Sequence, residues 1–428
     1  MTIGTGGFNP RIRQRARAAD ATTPAIRCID RLAIFGGSPL LSSPTPAAFL
    51  PDIESYLGLL DQIFEHRRLT NDGALVQRLE DRLGRHHRKR HCVALANAGL
   101  GFMMLLQLLA GGRRGEVIMP ALADPGLPHF IDWAGQTPRF CDVDKDTHAL
   151  DPQSVAAAIG ERTIAILAVC GSLGPGDITG LCRVAAARHI PVVCDATAAF
   201  ATTGGDRDPA KACLAAIFSL DATTLLNGFE GGYVATDDDG VAAALRWQRN
   251  FCLPLPGPGE RPPPYPVLGL NAKLNELHAA MALLSLDRLG ERLAAEALCC
   301  EAYRRMCSRL PGWGVASGSR GGWAPCAAVA TVRAPWPLSR DQTVALLRAE
   351  EVAVSPYRSP ALHLAPGRSG SVSGSALPVA ESLAGDLLQL PGADAISPAA
   401  IATLGEYLAS VAAHGAAIAA RLAARGIA

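Results

Sequence analysis

Two polar side chains stand at the ends of apolar runs, where a folded chain can use them for chemistry. Asp195 closes the run IPVVCD (190–195), and Ser219 lies near the end of AAIFSL (215–220). A carboxylate there can pair with a protonated ring nitrogen or orient a polar group, and a serine hydroxyl can donate a hydrogen bond to a phosphate. Asp195 could equally cap the helix that follows it, and Ser219 could be a turn hydroxyl. The residues alone leave these alternatives open.

A glycine-rich turn forms a candidate anion site. The segment LANAGLGFMMLL (95–106) passes from an apolar run through Gly99 and Gly101 into a helical pattern. Backbone N–H groups at a helix N-terminus attract anions, so a phosphate would rest on Ala98, Gly99 and Leu100. Many glycine turns hold nothing, and that alternative also stays open.

The histidines of HHRKRHC (86–92) do not predict a metal site. His87 and His91 stand four residues apart, which suits two ligands on one helix face. Cys92 begins an apolar strand, however, so the two side chains would not share such a face, and we predict no metal. The sequence also contains no GxSxG elbow, no Walker loop and no HExxH pattern.

Short apolar runs alternate with helical stretches from Cys92 onward, and these elements must position the candidate residues. Such runs, apolar throughout and separated by helices, are typical of a mostly parallel sheet covered on both faces. Ligands of such α/β sheets bind beyond the carboxyl ends of the strands. The runs are CVAL (92–95), EVIMP (116–120), RFCDV (139–143), TIAILAV (163–169), IPVVCD (190–195), AAIFSL (215–220) and GGYVAT (231–236).

Helical patterns fill the spaces between the runs and continue after them. Residues 102–110 and 151–159 are predicted helices, the second with Asp151 as N-cap and Pro152 in its first turn. After a Pro-rich loop (253–266), residues 271–306 read as one long helix. We predict three parts, listed here by their bounds: a disordered Arg-rich arm over 1–30, a large α/β domain over 31–300, and a small C-terminal domain over 301–428.

Composition excludes several classes of protein. The chain has 428 residues with 40 basic and 39 acidic side chains, so its net charge of +1 gives no field for nucleic acid or an anionic membrane. No apolar run is long enough to span a bilayer, and no secretory signal is recognisable. The 12 cysteines form no C-x-x-C pair, which favours free thiols. We expect a soluble cytoplasmic protein.

Taken in order, several segments resemble the DegT-type (StrS-like) sugar aminotransferases, which are fold-type I enzymes dependent on pyridoxal phosphate (PLP). The resemblance covers about residues 30 to 400 and implies a mostly parallel seven-stranded sheet between helices, with a smaller C-terminal α+β domain. The segments are LTNDGALVQRLEDRL (69–83), FCDVDKDTHALDP (140–152), PVVCDATAAF (191–200), FSLDATTLLNGFEGGYVATDD (218–238), GLNAKLNELHAAMALLSLDRL (269–289) and SPALHLAP (359–366).

The resemblance assigns roles to residues that this chain keeps. The family's ring-nitrogen carboxylate falls on Asp195 and its phosphate-binding serine on Ser219. Its asparagine that reaches the phosphate from the partner subunit falls on Asn271. Glu230, which opens the E-G-G turn, is also kept. These matches imply a dimer whose active site is shared between subunits.

Four positions depart from the family pattern. The Schiff-base lysine falls on Thr224, whose hydroxyl cannot form an imine. The family's N-G-T/S phosphate turn appears as Asn97, Ala98 and Gly99, so the hydroxyl beside the phosphate is missing. The aromatic residue that stacks on the cofactor falls on Asp124, and the His or Gln below the ring falls on Ala198. Stacking, phosphate binding and covalent attachment are weakened together, so we expect no bound cofactor.

Three functions fit these departures. The favoured one is an aminotransferase-fold protein that does not transaminate: a PLP-independent enzyme, or an inactive partner, in sugar or natural-product biosynthesis. The second binds PLP or pyridoxamine phosphate (PMP) non-covalently and performs amine or dehydration chemistry on a nucleotide-linked sugar. The third is a structural or regulatory subunit that forms a heterodimer with an active paralogue, in place of a homodimer.

The favoured hypothesis places a small-molecule substrate among side chains at the strand ends. Asp221 and Asp124 are carboxylates close to the expected cofactor space and are candidates for acid–base work, and solvated loop charges are the alternative. The candidate catalytic residues are Asp195, Thr224, Asp221 and Asp124. The candidate cofactor residues are Ala98, Gly99, Asp195, Ser219 and Asn271, and the candidate substrate residues are Cys170 and His363.

Overall fold

The computed structural model of the protein describes most of the chain. The described residues are 29–41, 50–70, 72–171, 173–174, 176–202, 208–253, 268–315, 328–366 and 376–427. The predicted arm over 1–30 lies outside them except for its last two residues, and most of the Pro-rich loop does too.

A seven-stranded sheet forms the centre of the fold, in the strand order β1-β7-β6-β5-β4-β2-β3. Only β7 runs antiparallel to its neighbours, β1 and β6. The other pairs are parallel, as the resemblance implies. The strands are β1 (His91–Leu95), β2 (Glu116–Pro120), β3 (Thr137–Cys141), β4 (Thr163–Val169), β5 (Val192–Asp195), β6 (Ala215–Ser219) and β7 (Gly232–Thr236).

Each apolar run forms a strand because both faces of the sheet are buried. Val117 and Met119 of β2 pack into one core cluster, whereas Ile118 between them packs into a second cluster on the opposite face. Successive side chains of a strand point to opposite faces, so a sheet covered on both sides needs apolar residues throughout. This requirement explains the continuous runs in the sequence.

Helices cover both faces of the sheet. Helix α3 begins after Asn97, whose side chain accepts from the Gly99 N–H at 2.7 Å, and α5 begins after Asp151 as the sequence predicts. The helices are α1 (Ile53–His66), α2 (Ala74–His87), α3 (Ala98–Ala110), α4 (Leu127–Trp133), α5 (Pro152–Ala158), α6 (Ile178–Ala186), α7 (Pro209–Ala212), α8 (Asp239–Gln248), α9 (Glu276–Asp287), α10 (Leu289–Cys307), α11 (Arg340–Ala349), α12 (Pro378–Asp386), α13 (Pro398–Ala413) and α14 (Gly415–Ala423).

The long helix expected over 271–306 is two helices, so that prediction is wrong in its bounds. Asn275 caps α9 by accepting from the His278 N–H at 3.0 Å, and the backbone leaves the helical conformation at Arg288 before α10 begins. The break separates two packing partners, because α9 packs on α1 and α2 whereas α10 packs on α13 and β8. It also lets α10 reach the carboxyl edge of the large sheet.

A second, four-stranded sheet lies in the C-terminal part, in the order β10-β11-β9-β8. Its strands are β8 (Trp313–Val315), β9 (Val329–Val332), β10 (Ser355–Pro356) and β11 (Leu387–Gln389). All of its pairs are antiparallel, and together with its helices it forms the α+β part that the resemblance implies. Helix α10 runs across residue 300, so the predicted domain boundary falls inside a helix and stays a prediction. In the described ranges, no helix combines the length and apolarity that a bilayer span requires.

Candidate active site

One cavity of about 850 Å³ lies at the carboxyl ends of β4, β5 and β6 and extends to β10 and β11 of the small sheet. This is the edge where ligands of α/β sheets bind. Eight of the candidate residues named from the sequence line it, and they come from five separate stretches of chain. They are Ala98, Gly99, Asp124, Cys170, Asp195, Ser219, Asp221 and Thr224.

Asp195 ends β5 at the floor of this cavity. Burial raises the pKa of its carboxyl, and nearby Asp124 acts in the same direction. The Thr197 N–H, which donates to Asp195 Oδ1 at 3.1 Å, and the charge of Arg358 oppose that rise. A desolvated carboxylate in this position would gain from a cationic partner such as a protonated ring nitrogen.

Thr197 connects Asp195 to Ser219. Its Oγ1 accepts from the Ser219 N–H at 3.0 Å, while its own N–H binds Asp195. The Ser219 Oγ accepts from the Asp221 N–H at 3.2 Å, which leaves the hydroxyl proton available to a ligand. The sequence did not single out Thr197, although Thr197 binds the Asp195 carboxylate and the Ser219 backbone.

The first turn of α3 borders the same cavity through Asn97, Ala98 and Gly99. A Cβ on Gly99 would lie 2.3 Å from Phe130 Cζ, so only glycine allows that ring to approach. A Cβ on Gly232 would likewise lie 2.4 Å from the Ala98 nitrogen. Glycine at these two positions therefore allows Phe130 and β7 to pack closely against the first turn of α3.

Thr224 lies in the turn after β6, half-buried in the cavity wall. Its Oγ1 is 2.7 Å from the Asp221 carbonyl oxygen and 2.9 Å from the Leu226 carbonyl oxygen, so its proton is used inside the turn. No lysine is among the described residues that line the cavity. Lys89 binds Asp237 at 2.7 Å, and Lys273 binds Asn271 at 2.6 Å.

Asp124 and Cys170 also line the cavity. Asp124 Oδ1 accepts from the Gly126 N–H at 2.8 Å and thereby stabilises its own turn. Phe130 of the following helix places an aromatic ring in the cavity wall that the sequence did not predict. Cys170 follows β4, with its Sγ 3.3 Å from Cys194 Sγ.

Two predicted site residues lie elsewhere. Asn271 is exposed and is not among the described residues that line the cavity of its own chain. His363 is also outside that lining; its side chain is buried, with Nε2 3.1 Å from Glu381 Oε1. Its position supports a packing role, and the substrate-binding role stays a prediction. Among the described residues, no cluster of three or more His, Cys, Asp or Glu side chains suits a metal ion.

Four charged residues of the cavity were missed from the sequence: Arg292, Glu296, Arg358 and Asp394. Arg292 and Glu296 are one turn apart on α10, and Arg292 binds the Asp394 carboxylate. Burial raises the pKa of Glu296 to about 7. In the sequence, an Arg–Glu pair at this spacing looks like a surface ion pair, so no local signal distinguishes it.

The donor set fits a PLP-type cofactor. A half-buried carboxylate, Asp195, suits a pyridinium nitrogen, and the Ser219 hydroxyl and the α3 N-terminus suit a phosphate. The residues present are thus compatible with the cofactor, even with Thr224 in the wall.

Comparisons with known proteins find a sugar transaminase and solved structures of the same fold. The chain is 27% identical over 357 residues to the dTDP-4-amino-4,6-dideoxy-D-glucose transaminase of Escherichia coli, covering 81% of this chain and 93% of that protein. The structure of DesI, solved in the presence of its TDP-sugar product, superposes with a TM-score of 0.84 at 34% identity. That match covers 92% of this chain and 99% of DesI.

Solved structures of the same fold also contain the cofactor. NtdA of Bacillus subtilis holds PMP; it matches at 19% identity with a TM-score of 0.73, over 84% of this chain and 82% of its own. The GDP-4-keto-6-deoxy-D-mannose-3-dehydratase of E. coli holds hydrated PLP; it matches at 18% identity with a TM-score of 0.73, over 87% of this chain and 99% of its own.

The prediction that no cofactor is bound is therefore wrong: the family and its structural neighbours depend on PLP or PMP. That prediction counted the contacts that the substitutions remove and gave too little weight to the cavity, the Asp195 carboxylate and the α3 N-terminus that remain.

The family match extends over residues 52–409, well over half of the chain. It includes every segment on which the sequence resemblance rests, from 69–83 to 359–366. The seven-stranded sheet and the antiparallel C-terminal sheet have the architecture expected of fold-type I enzymes. On these grounds the chain belongs to the DegT/DnrJ/EryC1/StrS aminotransferase family.

Proposed function

We propose that this protein binds PLP or PMP without a covalent bond and uses it for amine chemistry on a nucleotide-linked sugar. The observation that carries the proposal is the cavity, which joins Asp195, Ser219 and the α3 N-terminus while presenting Thr224 at the turn after β6. The family membership supplies the cofactor class, and the transaminase relative and the DesI structure supply the substrate class.

Three parts of the chain would hold the cofactor. Asp195 would bind the ring nitrogen as a carboxylate, while Ser219 and the first turn of α3 would bind the phosphate. Bound in this way, the cofactor supplies an electron-withdrawing ring for reactions at an amine-bearing carbon. Because Thr224 stands in place of the lysine, these non-covalent contacts would supply all of the affinity.

The substrate would occupy the part of the cavity that faces the small sheet. Arg358 and Gln389 border that part, and Arg358 donates to the Leu122 carbonyl oxygen at 3.2 Å. A guanidinium there suits the phosphates of a nucleotide sugar. Cys170 would lie between this region and Asp195.

We further propose that two copies of the chain form a homodimer that shares its sites. Ile53, Leu57, Phe229 and Leu277 have exposed fractions of 62%, 48%, 39% and 44%. Tyr56 links them, because its ring is 6.0 Å from that of Phe229 and its hydroxyl donates to the Leu277 carbonyl oxygen. An apolar face of this kind favours association, and Asn271 would reach the partner's cavity rather than its own.

Titration of the purified protein with PLP and with PMP tests the proposal. We expect saturable changes in the absorption spectrum of each cofactor, and no mass increase of the chain after borohydride treatment of the PLP complex. Incubation of the PLP complex with dTDP-4-amino-4,6-dideoxy-D-glucose should then convert bound PLP to PMP. A lysine adduct, or no binding of either cofactor, would contradict the proposal; binding without conversion would indicate a non-catalytic subunit.

A further inference from the structure

Glu296 is a buried acid that has no part in the proposed cofactor contacts. It lies on α10, lines the cavity, and has an exposed fraction of only 7%. Its Oε1 accepts from the Ala393 N–H at 3.1 Å. Within the described part of the chain, no hydrogen-bond donor reaches Oε2. This oxygen nevertheless keeps some accessible surface. One oxygen is therefore held by the backbone, and the other is open to the cavity.

Helix α10, which carries Glu296, contacts the turn that carries Thr224. Arg292, one turn earlier on the same helix face, donates to the Thr224 carbonyl oxygen at 3.2 Å and also to the Leu225 carbonyl oxygen. Residues four apart on a helix are separated by about 6 Å along its axis. Glu296 thus lines the same cavity as Thr224 and lies one helical turn from the arginine that binds the Thr224 carbonyl oxygen.

The charges around Glu296 keep it able to titrate near neutrality. Asp394 from the loop after β11 opposes its ionisation and Arg292 favours it, while burial is the largest influence and raises the pKa to about 7. The ionisable neighbours on its own helix, Cys299, Cys300 and Tyr303, have pKa values raised by burial and stay neutral. At neutral pH, both protonation states of Glu296 are populated.

We propose that Glu296 is the proton acceptor for the substrate's amino group in this cavity. This inference rests on the proposed function, which brings an amine-bearing sugar to the site. The amine arrives as an ammonium ion; one N–H bond breaks, its electron pair stays on nitrogen, and the proton forms an O–H bond with Glu296 Oε2. The carboxyl later returns the proton to water, so no further reactant is required.

The test compares Glu296→Gln with Glu301→Gln. The glutamine at 296 keeps an oxygen for the Ala393 N–H but cannot accept the proton. Glu301 is a matched control because it lies on the same helix and is exposed, where it binds Arg304 at 2.6 Å. The measured step is the single-turnover conversion of bound PLP to PMP by dTDP-4-amino-4,6-dideoxy-D-glucose.

We expect Glu296→Gln to slow this conversion by about 100-fold or more, while PLP affinity changes less than about threefold. The wild-type rate should rise with pH through about 7, as Glu296 loses its proton, and the variant should lack that rise. Infrared spectra of the cofactor-free protein should show a protonated carboxyl band that titrates near neutrality in the wild type and in Glu301→Gln, and is missing in Glu296→Gln.

Two results would overturn the inference: no such band in the wild type, or a wild-type rate and pH profile in Glu296→Gln. Either can occur while the wild type binds PLP and converts it. By contrast, a wild type that does not bind PLP, or that binds PLP without converting it, overturns the proposed function itself, so the two failures are distinguishable.

Discussion

The Arg292 guanidinium lies 3.2 Å from the carbonyl oxygen of Thr224 and so connects helix α10 to the turn after β6. Arg292 also binds the Leu225 carbonyl oxygen and the Asp394 carboxylate, and it is itself buried. A buried charge with several partners holds its contacts in one geometry. The turn that carries Thr224 is therefore fixed from behind, and its side chain is presented at the cavity wall.

Replacing Thr224 by lysine should create a covalent attachment for PLP. The turn is held by Arg292, so a longer side chain at this position would extend into the cavity. We expect Thr224→Lys to gain the mass of one reduced PLP after borohydride treatment, and the wild type to gain none. Gln153→Lys is the control, because Gln153 is an exposed residue of α5 outside the described lining of the cavity. Equal labelling of both variants would argue against Thr224 as the lysine position.

Removing the charge of Asp195 should weaken cofactor binding. Asp195→Asn keeps the size of the side chain but cannot pair as an anion with a protonated ring nitrogen. A hydrogen bond to a charged group contributes roughly 1.5–3 kcal/mol, which corresponds to about 10- to 100-fold in affinity. PLP titrations followed by absorbance measure the change. Asp151→Asn, at the N-cap of α5, should leave the affinity unaltered; unchanged affinity in Asp195→Asn would count against the assigned role.

Subunit complementation should reveal whether sites are shared. Asp195→Asn and Asn271→Ala should each weaken PLP binding in a homodimer. A mixed dimer of the two variants contains one cavity with native Asp195 and a native Asn271 from the other subunit. We expect differently tagged, co-expressed variants to recover tight binding at one site per dimer. No recovery in the purified mixed dimer would place Asn271 outside the partner's site.

The stability of the protein should depend on Glu296 between pH 4.5 and 7. Burial raises its folded pKa from 4.5 to about 7, so the folded state binds the proton more tightly than the unfolded state. Proton binding by Glu296 therefore stabilises the folded state fully below pH 4.5, and this stabilisation is lost as pH rises through about 7. The corresponding change in the free energy of unfolding is roughly 3 kcal/mol.

Urea denaturation at several pH values measures this dependence. Glu296→Gln has no proton to lose, so its stability relative to the wild type should increase as the pH rises across this interval. Glu301→Gln should follow the wild type at every pH. A constant difference between Glu296→Gln and the wild type across the interval would show that Glu296 titrates normally.

The sequence by itself determined the sheet and the family. Continuous apolar runs such as TIAILAV predicted strands buried on both faces, and β4 spans the same residues, Thr163–Val169. Asp195 and Ser219 were found because strand ends are where α/β sheets bind ligands, a rule that needs only the strand pattern. The same reading judged the cofactor from residue losses alone and was wrong there.

Only the tertiary structure decided which distant residues share the cavity. Glu296 and Arg292 lie about 70 residues beyond Thr224 in sequence, and the break at Arg288 directs their helix toward the turn after β6. Whether Glu296 is a surface charge or a buried acid depends on the desolvation that packing imposes, not on its neighbours in the chain. The spacing of apolar residues in the sequence predicts which face of a helix or strand is buried. Which two elements become neighbours depends on how those faces pack together in the folded protein.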